Sequence, residues 1–336
     1  TAKRATTFLT NIYKIMKKSL WMLGVALTAL ASCAETEVVD VPQTRAIGFT
    51  NAFVNNTTRA DVTTDTFGKF WVFGDYDNDG SWANVFSNIE VTKGSPAWKP
   101  EQTAYWQLNK NYNFGAYADG TNTLSGVTYT PASNTLNFSE YSAGENDLVA
   151  ATVTNQSWDG QGEPSAVPFT FHHMLSKVKF TFKTVAAETY TMKVSGLTIS
   201  DAIQTGNGSF TGNQTGTWSG ETTGSYAFAE IADYATAAGQ AESEVKYVIP
   251  QANTNDIAVA FTVTVSDASG QIAEGTFEGT MAFPDANEWE AGMAYNYVVT
   301  INPPDVDATQ KPIEFTVTEV DKWDEFDDTD TSVDLQ

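Results

Sequence analysis

Arginine runs out early in this sequence. Arg4, Arg45 and Arg59 are the only ones in 336 residues, and none follows Arg59. Lysines supply the rest of the 18 basic residues, so the shortage is of arginine and not of cations. Cysteine is scarcer still. A lone Cys33 excludes an intrachain disulfide and any metal site needing several cysteines. Histidine occurs only as the adjacent pair His172 and His173. With no nucleophile motif beside them, a Ser/His/Asp or Cys/His mechanism has nothing to be built from. Positive charge is in deficit too: 41 acidic residues give a net charge of −23. Five of the bases (Lys3, Arg4, Lys14, Lys17 and Lys18) lie before Cys33, where there are no acids. The remainder repels nucleic acid and anionic lipid, and no basic stripe offsets it. We expect no nucleic-acid partner; the charge suits an exposed protein that must stay soluble. Long apolar runs are missing as well, the longest being Leu20–Ala31, too short to span a bilayer unaided.

What is present begins with an address. Met16, Lys17 and Lys18 open a charged segment, the apolar run follows, and Leu30-Ala31-Ser32-Cys33 closes it. The stretch resembles a bacterial lipobox, in which small residues suit the peptidase cleft and the thiol accepts lipid. That resemblance makes Cys33 the acylated first residue of the mature chain, anchored to an outer membrane without crossing it. Residues 1–15 precede any methionine and read as an upstream, non-native segment. The polar "AETEVVD" after Cys33 suits display at the cell surface.

From residue 46 onward the chain alternates with period two in runs such as "KFWVFGDY", "KVKFTFKTV", "IAVAFTVTV" and "YNYVVTI". Turn formers separate them, among them "DNDGS", "ADGTN", "GNGS" and "DASGQ". Only residues 227–244 have a helical aspect, shortened by their threonine and glycine. An all-β fold of two tandem sandwiches follows, with a boundary near "GQGEPSAVP", 160–168. "NPPDVDATQKP" (302–312) reads as an extended linker ahead of the alternating Ile313, Phe315 and Val317, and the acidic tail is too charged to pack.

Several candidate sites fail on chemistry. Asp75, Asp77, Asp79 and Gly80 look like the start of a calcium loop, yet the position of the bidentate glutamate is Phe86. A solvated turn is the better reading. Adjacent strand residues point to opposite faces, so His172 and His173 do not easily chelate one ion. "GNGSFTG" lacks the Lys-Ser/Thr step of a phosphate loop. Acids are everywhere and nothing singles out a catalytic pair. We expect no enzyme, no cofactor and no resident metal. Trp71, Trp82, Trp98, Trp106 and Trp158 offer a platform for stacking sugars, although core packing is the commoner fate of tryptophans in strands.

The landmarks in order are Cys33, "AIGFTNAFV", "TTRA", "FGKFWVFGDY", "WQLNKNYNFGAYA", "DLVAA", "FTFHHMLSKVKFTF", "YVIPQA", "WEAGMAYNYVVTI" and "VTEVDKW". This set resembles the fimbrillin-like proteins of Bacteroidetes, subunits of type V pili. The resemblance implies tandem transthyretin-like (immunoglobulin-like) β-sandwiches that assemble into adhesive surface fibres. It also implies that an arginine-specific surface protease cuts after the first strand, and that a neighbour's strand fills the groove left behind. The matching bond is Arg59-Ala60. Arg45-Ala46 has the same dipeptide but precedes the strand, so cutting there leaves the groove occupied.

The residues support this on their own terms. "AIGFTNAFV" puts Ile47, Phe49 and Phe53 on one face, with Asn51 the exception. Burying all three contributes about 5–8 kcal/mol. Nine extended residues cover about 30 Å, enough to line a sandwich edge. Their loss exposes an apolar slot and an unpaired edge. Ile313, Phe315 and Val317 form the matching candidate donor strand. The expected organisation is therefore an upstream segment 1–15, a signal peptide 16–32 and a lipidated propeptide with the removable strand 33–59. A sandwich 60–168, a second sandwich 169–323 with the donor strand 313–320, and a tail 324–336 complete it. Expected partners are other pilus subunits (copies of itself, anchor and tip proteins), the protease, membrane lipid through Cys33, and a surface glycan or protein. The alternative is an uncleaved outer-membrane lipoprotein that serves as anchor, tip or glycan binder.

Overall fold

A computed structural model describes residues 45–54, 67–95, 97–184, 190–212, 216–235, 239–252, 257–281, 283, 288–302, 306 and 316–322; for 51–54 and 316–322 only the backbone is described. The described strands before Met174 are β1 (Phe49–Val54), β2 (Lys69–Asn78), β3 (Ser81–Thr92), β4 (Lys99–Pro100), β5 (Tyr112–Asp119), β6 (Val127–Thr130), β7 (Thr135–Ser142), β8 (Leu148–Gln156) and β9 (Val167–His173). After it come β10 (Ser176–Thr184), β11 (Thr191–Thr211), β12 (Thr217–Ala227), β13 (Ile231–Ala235), β14 (Gln240–Glu242), β15 (Lys246–Val248) and β16 (Gln251–Ala252). The last are β17 (Ala258–Asp267), β18 (Gly270–Thr280), β19 (Glu288–Trp289), β20 (Met293–Ile301) and β21 (Thr316–Lys322). No helix occurs among the described residues, and the fold is all-β as expected. Nor does any helix there have the length and apolarity to cross a membrane.

The first sheet runs β1-β9-β8-β5-β2-β3-β4. Its two edges meet, because Phe49 of β1 bridges Trp98 beside β4 and Ala46 bridges Tyr105. Inside lie Ile47, Phe49, Phe70, Val72, Phe114, Ala116, Val149, Ala151, Phe169 and Phe171. Alternate residues of the same strands, among them Trp71, Phe73, Tyr117, Leu148 and Ala150, face a second and larger core. Strand β5 is therefore buried along its whole length, "YNFGAYAD". A strand covered on both faces needs apolar or small residues at every position.

The second core lies between a sheet ordered β14-β10-β20-β21, with β15 also on β10, and a sheet ordered β18-β17-β11-β7-β6. Its inward rows include Val178, Phe180 and Phe182 of β10, Tyr295, Tyr297 and Val299 of β20, and Val259, Phe261 and Val263 of β17. The 21 residues of β11 pair with β17 at one end and β7 at the other. Residues 160–168 lead into β9, which pairs with β8, and β10 opens the next sheet at Ser176.

The helical expectation for 227–244 is overturned. Residues 231–235 form β13 against β11, and 240–242 form β14 against β10. Gly239 has φ 82°, a left-handed conformation that interrupts any helix. Unpaired edges on β11 and β10 outweigh the helix propensity of the segment's alanines, which Ile231, Thr236 and Gly239 already lower.

Candidate functional site

The seam that closes the first sheet is the feature with functional content. Residues 46–49 are sewn in from both sides. Ile47 N donates to Ala104 O at 2.8 Å on one side, and Val167 N donates to Gly48 O at 2.8 Å on the other. Pairing with β9 is parallel, whereas the bridges to Trp98 and Tyr105 are antiparallel. Ile47 and Phe49 are 2% and 1% exposed. The Phe49 ring sits amid four others: Phe169 stacked at 5.7 Å, Phe70 and Phe114 edge-on at 5.8 and 6.2 Å, and Phe86 tilted at 5.8 Å. Gly74 makes room for this nest, since a Cβ there would lie 2.6 Å from the Phe114 ring and 3.1 Å from Phe86.

Beyond Thr50 the register of β1 is irregular. Thr50 pairs with Pro168, then Phe53 with Thr170 and Val54 with Phe171. Pro168 offers no N–H to this ladder, so the pairing of β1 with β9 is not a continuous run of hydrogen bonds, and the buried Phe49 ring adds to its hold. The other rail of the seam, residues 98–105, escaped sequence reasoning. "WKPEQTAY" has no period-two signal, and only Trp98, whose ring lies 5.2 Å from Phe70, hinted at a packed role.

Val317 lies on β21, in register with Tyr297 of β20. The strand is antiparallel to β20, at the edge of its sheet. Cys33, Arg59, Ala60, Ile313 and Phe315 lie outside the described residues, as does the side chain of Phe53. Arg45 is exposed.

The rejected sites have plain structural roles. Asp79 and Gly80 adopt φ of 58° and 93° in a two-residue hairpin turn between β2 and β3, where Asp77 Oδ1 accepts Gly80 N at 2.8 Å. Lys110 pairs with Asp79 at 3.1 Å. His173 Nδ1 lies 2.8 Å from Asp147 Oδ2, both buried. Close by in sequence and pairing, Tyr141 donates to Asp119 at 2.9 Å, and burial pushes the Asp119 carboxyl above its ordinary pKa. His172 is held below the usual histidine range by burial first and by the neighbouring His173 second. No group of three or more metal-ligating side chains is found among the described residues. Trp71 and Trp106 are core residues, while Trp82, Trp98 and Trp158 are half-buried.

A first sheet closed by a short N-terminal strand and a second core between two further sheets place the chain in the all-β class. The chain belongs to the fimbrillin-like family, whose sequence profile matches residues 58–323. Among solved structures, a fimbrial protein from Bacteroides vulgatus shares the fold at 16% identity and a TM-score of 0.52, covering 83% of this chain and 99% of its own. A candidate cell adhesion protein from Bacteroides uniformis is similar at 16% identity and TM-score 0.49, covering 83% and 97%. Another from Bacteroides ovatus has 17% identity and TM-score 0.48, covering 84% and 98%. No curated protein matches the sequence.

Proposed function

We propose that this protein is a structural subunit of a surface fimbria, assembled by exchange of β1 and supporting cell adhesion. In this reading the chain travels as a lipoprotein acylated at Cys33, an arginine-specific protease cuts Arg59-Ala60, and β1 leaves with the lipid. The vacated seam then receives the strand Ile313, Phe315, Val317 of the next copy. One observation carries the reading: residues 46–49 close the first sheet and put Phe49 at the centre of its core, yet they precede an arginine after which no other occurs. Loss of that segment exposes an aromatic slot and two unpaired backbone rails, which demand a replacement strand.

The position of β21 fits a donor held in reserve. It is docked on its own β20, so exchange requires it to peel away about the 302–312 linker. The division into sandwiches 60–168 and 169–323 belongs to this proposal, and the β7–β11 ladder pairs a strand of one with a strand of the other. Family membership and the fold shared with a fimbrial protein support the fibre role over an enzymatic one.

N-terminal sequencing of protein sheared from cells tests the reading directly. Ala60 as first residue is expected; lipidated Cys33 on all the material would assign the chain to an uncleaved anchor, tip or binding lipoprotein instead.

A further inference from the structure

The described residues expose three large hydrophobic side chains: Tyr105 at 38%, Leu108 at 56% and Ile272 at 50%. Lone exposed apolar residues mean little, but the placement of these is not scattered. Tyr105 bridges Ala46, so it stands where β1 enters the seam. Leu108 lies three residues on, its Cδ1 packed against Gly160. The loops that carry them are tied together, Asn109 N donating to Trp158 O at 2.9 Å and Trp158 Nε1 to Gly162 O at 3.2 Å. This is the end of the first sheet remote from Met174–Leu175, because β9 runs from Val167 here to His173 there.

Ile272 occupies the far end of the other half. It follows the β17–β18 hairpin, next to the Ser266–Gln271 pair, and Ser266 in turn pairs with Thr191 at the start of β11. One short connection away, Thr184 and Ile301 pair at the ends of β10 and β20. Asn302, the first residue of the segment 302–312 that precedes the candidate donor strand, follows Ile301 at that same end.

The polarity of β1 links the two ends. A strand that takes over its hydrogen bonds must run parallel to β9, with its N-terminal end at Tyr105. For the strand 313–320 of another copy, the N-terminal end is the one tethered to that copy's body through residues 302–312. Eleven residues reach about 36–40 Å at most. The donor's body is thereby kept within that reach of Tyr105 and Leu108, and the end it tethers there is the one bearing Ile272.

We propose that Tyr105 and Leu108 of one copy and Ile272 of the next form a second, side-chain contact between successive subunits, added to the exchanged strand. It is heterologous and head-to-tail, so it propagates along a fibre without closing. A tether of eleven residues by itself sets no angle between subunits; an apolar contact beside the seam fixes one. The inference rests on the strand-exchange reading above and names the surface that accompanies it.

The test uses the full chain expressed in cells that assemble fimbriae, carrying Leu108→Cys together with Ile272→Cys. Sheared fibres are treated with a flexible bismaleimide and separated under denaturing conditions. A ladder of covalent dimers, trimers and larger species is expected from the double variant, with at most dimers from either single variant. Normal high-mass polymers that yield no covalent ladder would overturn the contact and leave strand exchange standing. Failure of the unmodified chain to form polymers overturns both. In a second arm, Leu108→Ser with Ile272→Ser should fold normally by circular dichroism, since both side chains are exposed, and its fibres should dissociate about tenfold faster. Unchanged dissociation counts against the contact.

Discussion

Phe49 and Phe169 stack with ring centroids 5.7 Å apart and planes 19° from parallel, joining the first strand to β9 across the seam of the first sheet. Phe70, Phe86 and Phe114 close around the same ring. A single side chain thus binds a segment that the assembly proposal requires to be removable. Phe49→Ala should cost the unprocessed chain about 3–5 kcal/mol, as for other buried phenylalanines. Urea unfolding of the full chain reads this loss. The same substitution should leave the stability of material beginning at Ala60 unchanged, because the residue is gone from it.

Gly74→Ala tests the same nest from the opposite wall. The new methyl group meets the Phe114 ring at 2.6 Å and Phe86 at 3.1 Å, and both rings already contact Phe49. Overpacking should destabilise the chain by about 1–3 kcal/mol. Unlike Phe49→Ala, it should weaken the processed subunit too, and with it strand uptake. Equal effects of both variants on the processed form would mean that β1 stays in place.

Arg59 follows β1 in the sequence and precedes β2, which begins at Lys69. Arg59→Ala should leave export and the surface level of the protein intact and abolish high-mass polymers in sheared fractions. Arg45→Ala should not, since cutting there releases lipid and leaves β1 seated. Normal ladders from Arg59→Ala would remove cleavage at this bond from the mechanism.

Most of the architecture was legible because period-two runs and Gly/Asn/Asp turns make local statements that the fold respects. The Asp79-Gly80 turn, the inward Ile47 and Phe49, and the packed Trp71 and Trp106 are of this kind. What stayed hidden depends on partners distant in the chain. Residues 98–105 become a seam rail only because Ala46 and Phe49 come to lie beside them. Residues 231–235 become a strand because β11 has an edge to fill, against their local alanine content. The irregularity after Thr50 changes which β1 residue meets Phe171, and no residue type announces it. The proposed cleavage and lipidation rest on Arg59 and Cys33, which lie outside the described residues, so only their sequence context bears on them.

His172 gives the fold a pH dependence of defined sign. Burial lowers its folded pKa beneath the ordinary 6.5, with the adjacent His173 adding to the effect, and its Nε2 is buried without a hydrogen-bond partner. The unfolded chain therefore takes up this proton more readily than the folded one. Its contribution is fully present above pH 6.5 and is lost as the pH falls through the folded pKa. His172→Phe should flatten the decline of the urea midpoint below pH 6.5, and a profile parallel to that of the unmodified chain would place the acid sensitivity elsewhere.

Strand β21 pairs with its own β20, and the proposed assembly gives it a second home in a neighbour's seam, only one of which can be filled at a time. Leaving β20 costs edge hydrogen bonds, while Tyr295, Tyr297, Val299 and Ile301 stay buried against β10 and the facing sheet. Removal of residues 313–336 should therefore give folded monomers with β-sheet spectra near those of the full chain and no polymers. A peptide spanning 313–323, added in excess to cells assembling the unmodified protein, should shorten fibres by occupying opened seams ahead of the tethered strand. Its effect should vanish when Phe315 in the peptide is replaced by aspartate, because the aromatic slot left by Phe49 cannot take an unpaired charge. Fibres of normal length in the truncated chain would move the donor role to another segment, while leaving the seam of Ile47 and Phe49 as the acceptor.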